Sequence, residues 1–388
     1  MKILRLEIKG FRSLRDVVWE PADLNVVIGP NGTGKSNLLR MLQMISIAAK
    51  GGLGKYVQSS GGMETLVWDG TSKEIEFILK TELMRESLTY SVNMTRLGKK
   101  STYYITFEEL AKCFPVERKN RSKPLRLLYR TENEASFFDE KGKDYVVQEE
   151  SVPEDETLLS MSGGLVPHNH YVRPFQRQLS NLCIYHDFHV DSEAKIRQSI
   201  VPRPEEIVEA DGQNLMSVLH TLYTGNREFK KDINDAMLAA FGNDFENLDF
   251  SPVADRRIEL RVFWKTRKRP DSAADISDGM LRFLFLLTVF ASPSPLIAID
   301  EPETGLHPSM LPIVAEYAVE ASQRAQIILT THSPEFLDAF GESKPATTVA
   351  TWSDGQTLLK KLEGEALEYW LKEYSLGSMF RSGELESM

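Results

Sequence analysis

The sequence predicts an α/β fold: a mixed central sheet with an antiparallel β lobe and a helical lobe attached. Three observations predict it. The stretch Gly29-Pro30-Asn31-Gly32-Thr33-Gly34-Lys35-Ser36 fits G-x-x-x-x-G-K-[ST], with an apolar β-branched run before it and helical apolar spacing after it. Alternating apolar segments recur around residues 74–81, 87–95 and 101–107, as in an antiparallel meander. Two later apolar runs, ending in Asp300-Glu301 and in Thr330, read as short buried strands.

The bulk properties narrow the class. At 388 residues the chain is long for one domain and short for three, and 41% hydrophobic residues suffice for a packed core. A net charge of −10 excludes a generic nucleic-acid binder, so any DNA contact must come from a local patch. Cys113 and Cys183 give neither a disulfide framework nor a Cys-rich metal signature. The N-terminus lacks the apolar core of a signal peptide. The longest apolar run, from Leu281 to Ala291, contains Arg282 and is too short for a bilayer. The expectation is a soluble cytoplasmic protein with no membrane partner. No repeat of fixed period is present.

In chain order, Leu4, Leu6 and Ile8 alternate with charged residues, as in a half-buried strand. Gly10-Phe11-Arg12-Ser13-Leu14 turns it, and Val17-Val18-Trp19 returns antiparallel. Arg12 is open to two readings, a nucleotide contact or, as is commoner for a lone arginine, a surface residue. Residues 51–70 are glycine-rich and read as irregular. Residues 131–162 are polar and acidic, with a weak strand signal at Tyr145-Val146-Val147, and read as a loop. Helical patterning resumes near His170. Leu215, Met216, Val218, Leu219 and Leu222 mark one amphipathic helix, and Phe229, Ile233, Met237, Leu238 and Phe241 another. Ile258, Leu260, Val262 and Trp264 alternate as a strand. We expect a single head over 1–388. In it, 1–50 and 277–388 form the nucleotide-binding core, 70–165 the antiparallel β lobe, and 170–276 the helical lobe.

Four motifs carry chemistry. A glycine-rich loop between strand and helix turns free backbone N–H groups toward an anion, where the helix dipole also favours negative charge. Asn31, Gly32, Thr33 and Gly34 would wrap phosphate, Lys35 would reach the β and γ phosphates, and the Ser36 hydroxyl would ligate Mg²⁺. Ser277, before Asp278-Gly279, reads as the N-cap of a buried helix and, with Gly279, as a second anion site. Asp300 at a strand end suits Mg²⁺, and Glu301 can deprotonate attacking water. His332, after the last buried strand, can sense a γ-phosphate by hydrogen bonding.

Loop, Ser-Asp-Gly helix, Asp-Glu strand and histidine strand follow in an order that resembles the ABC-type ATPases of the SMC/RecF kind. Phe11-Arg12-Ser13, Asp211-Gly212-Gln213-Asn214-Leu215, Ser277-Asp278-Gly279-Met280-Leu281-Arg282-Phe283 and the stretch from Asp300 to Pro308 resemble the bacterial "predicted ATPase" group related to the ATPase half of OLD nucleases. The resemblance spans nearly the whole chain and is weakest from about 110 to 165. It implies ATP and Mg²⁺ as ligands, with Lys35 and Ser36 at the phosphates and metal. It makes Asp300 the Walker B acid, Glu301 the catalytic base and His332 the switch histidine. Ser277 and Gly279 would meet ATP held by a second copy, giving a two-fold sandwich dimer. It also implies DNA repair or anti-phage defence with a separate effector protein such as a nuclease. A nucleotide-gated DNA clamp with little turnover is the alternative; a transporter subunit is disfavoured by Ser-Asp-Gly in place of Ser-Gly-Gly. No glutamine loop is obvious among Gln58, Gln178 and Gln198. A long hinge coiled coil is missing, and too little chain follows His332 for a TOPRIM nuclease.

Weaker constellations remain. His168, His170, His186 and His189, with Asp187 and Asp191, lack a recognised metal-ligand spacing and read as solvated or core histidines. The basic clusters at 118–130 and 256–269 read as solvated faces or as contacts to a phosphate backbone. The loop assignment is directly testable. Lys35→Ala is expected to remove most ATP affinity, because a charge-assisted phosphate contact is lost; an unchanged dissociation constant in calorimetry contradicts the assignment.

Overall fold

The computed structural model describes residues 1–98, 102–113, 124–148, 152–162, 169–362 and 375–383. Two compact units emerge. One comprises Met1–Leu182 with Ala346–Leu362; the other comprises Cys183–Pro345 with the described part of Glu363–Met388.

In the first unit, strands Lys2–Phe11 and Leu14–Trp19 form the expected hairpin, with Phe11 opposite Leu14. The hairpin also extends the antiparallel sheet: Lys2–Phe11 pairs with Glu74–Leu83, and the sheet runs on to Asp144–Val146, eight strands in all among the described residues. The expected inward face of the first strand is partly corrected by a β-bulge between Ile3 and Arg5. A bulge shifts side-chain alternation by one residue. Ile3 is therefore buried, and Leu4 is exposed. Residues 51–70, expected to be irregular, contain two short helices, Leu53–Ser59 and Met63–Leu66, separated by glycines.

The strand Leu24–Ile28 precedes the glycine loop and pairs in parallel with Ala346–Ser353, which turns back antiparallel as Gln356–Lys361. The loop runs into the helix Lys35–Lys50, whose Leu38, Leu39, Met41, Leu42, Met44 and Ile45 are buried. At its other end, carbonyls without intrahelical partners need donors. Gly51, at φ 80, supplies a left-handed cap, Thr157 Oγ1 donates to Ala48 O at 2.8 Å, and Gln176 Nε2 donates to Ala49 O at 2.8 Å.

The stretch carrying Thr157 is held by a buried acid. Glu108 accepts from Tyr90 Oη at 2.9 Å, Leu158 N at 2.6 Å and Leu159 N at 2.9 Å. Burial pushes its carboxyl above the ordinary range, opposed by those hydrogen bonds and by Arg130. Arg130 in turn donates to the carbonyls of Glu156 and Pro153.

The second unit contains three parallel strands in the order Cys183–Tyr185, Leu296–Asp300, Gln326–Thr331. The expected helical lobe is present as Leu215–Gly225 and Arg227–Phe241, the latter capped by Asn226, whose side chain accepts from Glu228 N and Phe229 N. It is not purely helical: Phe245–Val253, Arg257–Trp264 and Asp271–Ser272 form an antiparallel sheet beside it. The helix Asp278–Ala291 buries Leu281, Phe283, Leu284, Leu287, Val289 and Phe290. Such side chains contribute roughly 1.5–3 kcal/mol each.

Glu108→Ala would orphan two buried backbone N–H groups. At roughly 1–3 kcal/mol per unsatisfied group, a loss of about 3 kcal/mol is expected. Thermal or denaturant melts check this; an unchanged midpoint would contradict the bracing role.

Candidate functional site

The phosphate loop closes through left-handed glycines. Gly32 and Gly34 lie at φ 84 and φ 93. A Cβ on Gly34 would fall 2.0 Å from Thr357 Oγ1 and 2.5 Å from Ser13 Oγ, so no other residue fits. A Cβ on Gly32 would meet nothing within 4 Å, which leaves that backbone open to a ligand. Asn31 and Gly32 are exposed, Thr33 and Lys35 buried, and Ser36 half-buried as the second residue of the helix. Curling the amides inward turns carbonyls the other way, and those of Gly29, Pro30 and Thr33 find side-chain donors. Lys35 Nζ donates to Gly29 O at 2.7 Å and Pro30 O at 3.1 Å. Thr33 Oγ1 donates to Pro30 O at 2.9 Å, and Thr357 Oγ1 to Thr33 O at 2.8 Å. Thr357 also meets Ser13 Oγ at 2.7 Å, and Asn37 Nδ2 donates to Ser13 Oγ at 2.8 Å.

Arg12, in the hairpin turn at φ 48, is held below its ordinary pKa by burial and by the like charge of Arg40. Its Nε is buried with no hydrogen-bond partner among the described residues.

In the second unit, Asp300 and Thr330 lie opposite each other on adjacent parallel strands, and Thr330 Oγ1 donates to Asp300 Oδ1. From the strand on the other side, His186 Nδ1 stands 3.4 Å from Asp300 Oδ2. Glu301 takes a left-handed φ of 48 and donates its N–H to Thr330 O at 3.1 Å. Non-glycine residues adopt such angles rarely, and they concentrate at functional sites. The turn points Glu301 Oε1 to His332 Nδ1 at 3.0 Å. Glu303 accepts from Thr331 Oγ1. Burial pushes the Glu303 carboxyl up, and the Thr331 hydrogen bond opposes this.

Ser277 caps its helix, its Oγ accepting from Met280 N at 3.3 Å. Gly279 lets the helix start approach Gly305 closely: a Cβ there would sit 3.0 Å from Gly305 O, tighter than ordinary contact. Asp278 is held by Arg197, which also donates to Ile276 O at 2.8 Å and Val190 O at 2.8 Å. The acid that departs from Ser-Gly-Gly therefore has a fixed partner.

Every proposed loop residue falls on one loop. Asp300, Glu301 and His332 fall together, and Ser277 and Gly279 start one helix. Sequence reasoning missed Thr357, Thr330, Thr331, Glu303, His186 and Arg197 as parts of these arrangements. Only the threonines before His332 and the glutamate after Pro302 carried a local signal. Of the histidine constellation, His168 lies outside the described residues, and His170 pairs with Glu140 and His186 with Asp300. Among the described residues no three His, Cys, Asp or Glu side chains gather as a metal site. Arg118, Lys119, Arg121 and Lys123 also lie outside the described residues; Arg126 pairs with Glu109. In the second cluster Arg267 pairs with Asp271, and Lys265 donates to Asn243 O. Among the described residues no helix is long and apolar enough to cross a membrane.

The donor chemistry fits Mg²⁺–ATP. The loop offers glycine backbone and a buried lysine to phosphate. Ser36 in the first unit and Asp300 in the second each carry a hard oxygen of the kind a small cation takes.

The architecture matches that of the SMC head bound to the C-winged helix domain of ScpA, with TM-score 0.56 and 15% identity over 95% of this chain and all of that one. Fold, glycine loop and acidic strand end define an ABC-type ATPase of the SMC/RecF kind, related to the ATPase domains of OLD nucleases. The chain is 21% identical over 340 residues to the OLD nuclease of Thermus scotoductus, covering 86% of this chain and 59% of that protein. It thus spans under two thirds of that relative's length. It is 22% identical over 351 residues to the ATP/GTP phosphatase of Helicobacter pylori, covering 87% and 86%. It belongs to the family described as "AAA domain, putative AbiEii toxin, Type IV TA system", whose model matches residues 24–338.

Thr357→Val deletes the hydroxyl that binds Thr33 O and Ser13. At roughly 0.5–1.5 kcal/mol per hydrogen bond, it should lower the melting midpoint and weaken ATP binding about threefold to tenfold. Melts and calorimetry both matching wild type would remove Thr357 from the loop's support.

Proposed function

We propose that the chain is an ATP-driven switch that binds Mg²⁺–ATP, closes a two-fold sandwich dimer and hydrolyses ATP to reopen it. The observation that carries this reading is the Asp300, Glu301 and His332 arrangement. One acid is pinned by Thr330, and the next is turned by a left-handed backbone to meet a histidine. Two adjacent carboxylates in different environments can take different roles. Lys35 and the loop amides bind the phosphates. Ser36 and Asp300 would each serve as a cation ligand, and the cation would neutralise charge on the transferring phosphoryl group. Glu301 accepts the proton of the attacking water, and His332 orients Glu301 and the γ-phosphate. Ser277 and Gly279 present a helix N-terminus to ATP held by a second copy.

The names of the relatives support a role in DNA repair or anti-phage defence with a separate effector protein. The OLD relative is a nuclease, and the family description names a toxin–antitoxin system. A nucleotide-gated DNA clamp with negligible turnover is the second reading; Lys268 and Arg269, both exposed at the basic strand end, favour it. Steady-state ATPase assays with and without DNA separate the two.

Glu301→Gln keeps size and hydrogen bonding but cannot accept a proton. Hydrolysis should fall roughly 10²–10⁴-fold. ATP should still bind, and a closed dimer should accumulate. Asp300→Asn should instead blunt closure. The measurement is an ATP-dependent cross-link between a cysteine placed near Ser277 and one near Gly34 of a second copy. Its absence in Glu301→Gln removes the sandwich mechanism, whatever the ATPase rate.

A further inference from the structure

His186 follows the strand Cys183–Tyr185, whose Tyr185 lies opposite Ile299. That parallel register delivers residue 186 to the level of Asp300. The two side chains are mostly buried, 13% and 12% exposed, with His186 Nδ1 3.4 Å from Asp300 Oδ2. An ionised carboxylate only accepts, so the proton of a neutral His186 belongs on Nδ1. Nε2 is then a bare acceptor. It is buried and has no hydrogen-bond partner among the described residues. Leaving a buried polar atom unsatisfied costs roughly 1–3 kcal/mol, and such atoms call for a functional explanation. An apolar side chain would fill the same space without that cost.

Asp300 is thus gripped from both sides: Thr330 takes Oδ1 and His186 takes Oδ2. We propose that His186 is a positioning residue for the divalent cation. It orients the Asp300 carboxylate through Nδ1–H. The proposal rests on the ATPase reading above, in which Asp300 serves Mg²⁺. The chemistry is that of an outer-shell ligand: Mg²⁺ keeps several waters, and groups behind the direct ligands fix their orientation.

The test is the affinity for ATP by calorimetry in Mg²⁺ and in EDTA, together with the Mg²⁺ concentration at half-maximal ATP binding, in the full chain. His186→Ala should raise that Mg²⁺ concentration about 10–100-fold, the usual range for loss of an outer-shell partner. Its ATP affinity in EDTA should match wild type. His186→Asn restores an N–H donor to Asp300, and should recover most of the Mg²⁺ affinity. Equal Mg²⁺ dependence in wild type and His186→Ala overturns the proposal. So does a loss of ATP affinity that is the same in EDTA and in Mg²⁺, because that is structural damage. A wild type whose ATP binding is insensitive to Mg²⁺, or is not reduced by Lys35→Ala, overturns the ATPase reading itself and the His186 proposal with it.

Discussion

A backbone that turns its amides inward around a phosphate must turn its carbonyls outward, and those carbonyls cannot stay unpaired in a protein interior. This constraint orders the first unit. Glycines at left-handed angles permit the curl, but Lys35, Thr33 and Thr357 make it stable by donating to the carbonyls of Gly29, Pro30 and Thr33. Thr357 stands on a terminal hairpin and Ser13 on an initial one, so both ends of the unit are fastened to the loop. At the far end of the loop helix the same requirement recurs, and Thr157 and Gln176 answer it. The buried Glu108 belongs to this chain of dependence, since it anchors the segment that supplies Thr157.

The second unit solves a different problem with similar means. Three parallel strands and the turns that follow them bring two histidines, three acids and two threonines to one end. Neighbouring acids there would repel one another if left alone, and hydroxyl donors divide them: Thr330 serves Asp300, Thr331 serves Glu303, and Glu301 faces His332. At the helix that begins with Ser277, the close approach of Gly279 to Gly305 O and the grip of Arg197 on Asp278 fix a terminus that chain entropy would otherwise fray.

The sequence made the fold class legible because its decisive signals are local. The glycine loop, the Asp-Glu strand end and the serine cap are each readable within about ten residues. What escaped has a common cause. Thr357 acts on a carbonyl 324 residues away, and nothing in its own hairpin marks it. His186 read as one of several loosely spaced histidines, since its meaning depends on the register of its strand against the acid strand. Arg197 belongs to no motif, although its guanidinium is wrapped by carbonyls and an acid. The outward turn of Leu4 needed a bulge that alternation alone does not announce.

The backbone at Glu301 opposes two kinds of fitness. A left-handed φ of 48 suits glycine or asparagine, and holding a glutamate there costs of order 1–3 kcal/mol. With Glu301 as the proposed general base, a glycine at this position would relax the turn at the expense of turnover. Drift that rewards only folding would push the residue away from glutamate, and only a demand for turnover would hold it in place. On that proposal, the identity of this one residue would separate hydrolysing chains from nucleotide-binding scaffolds.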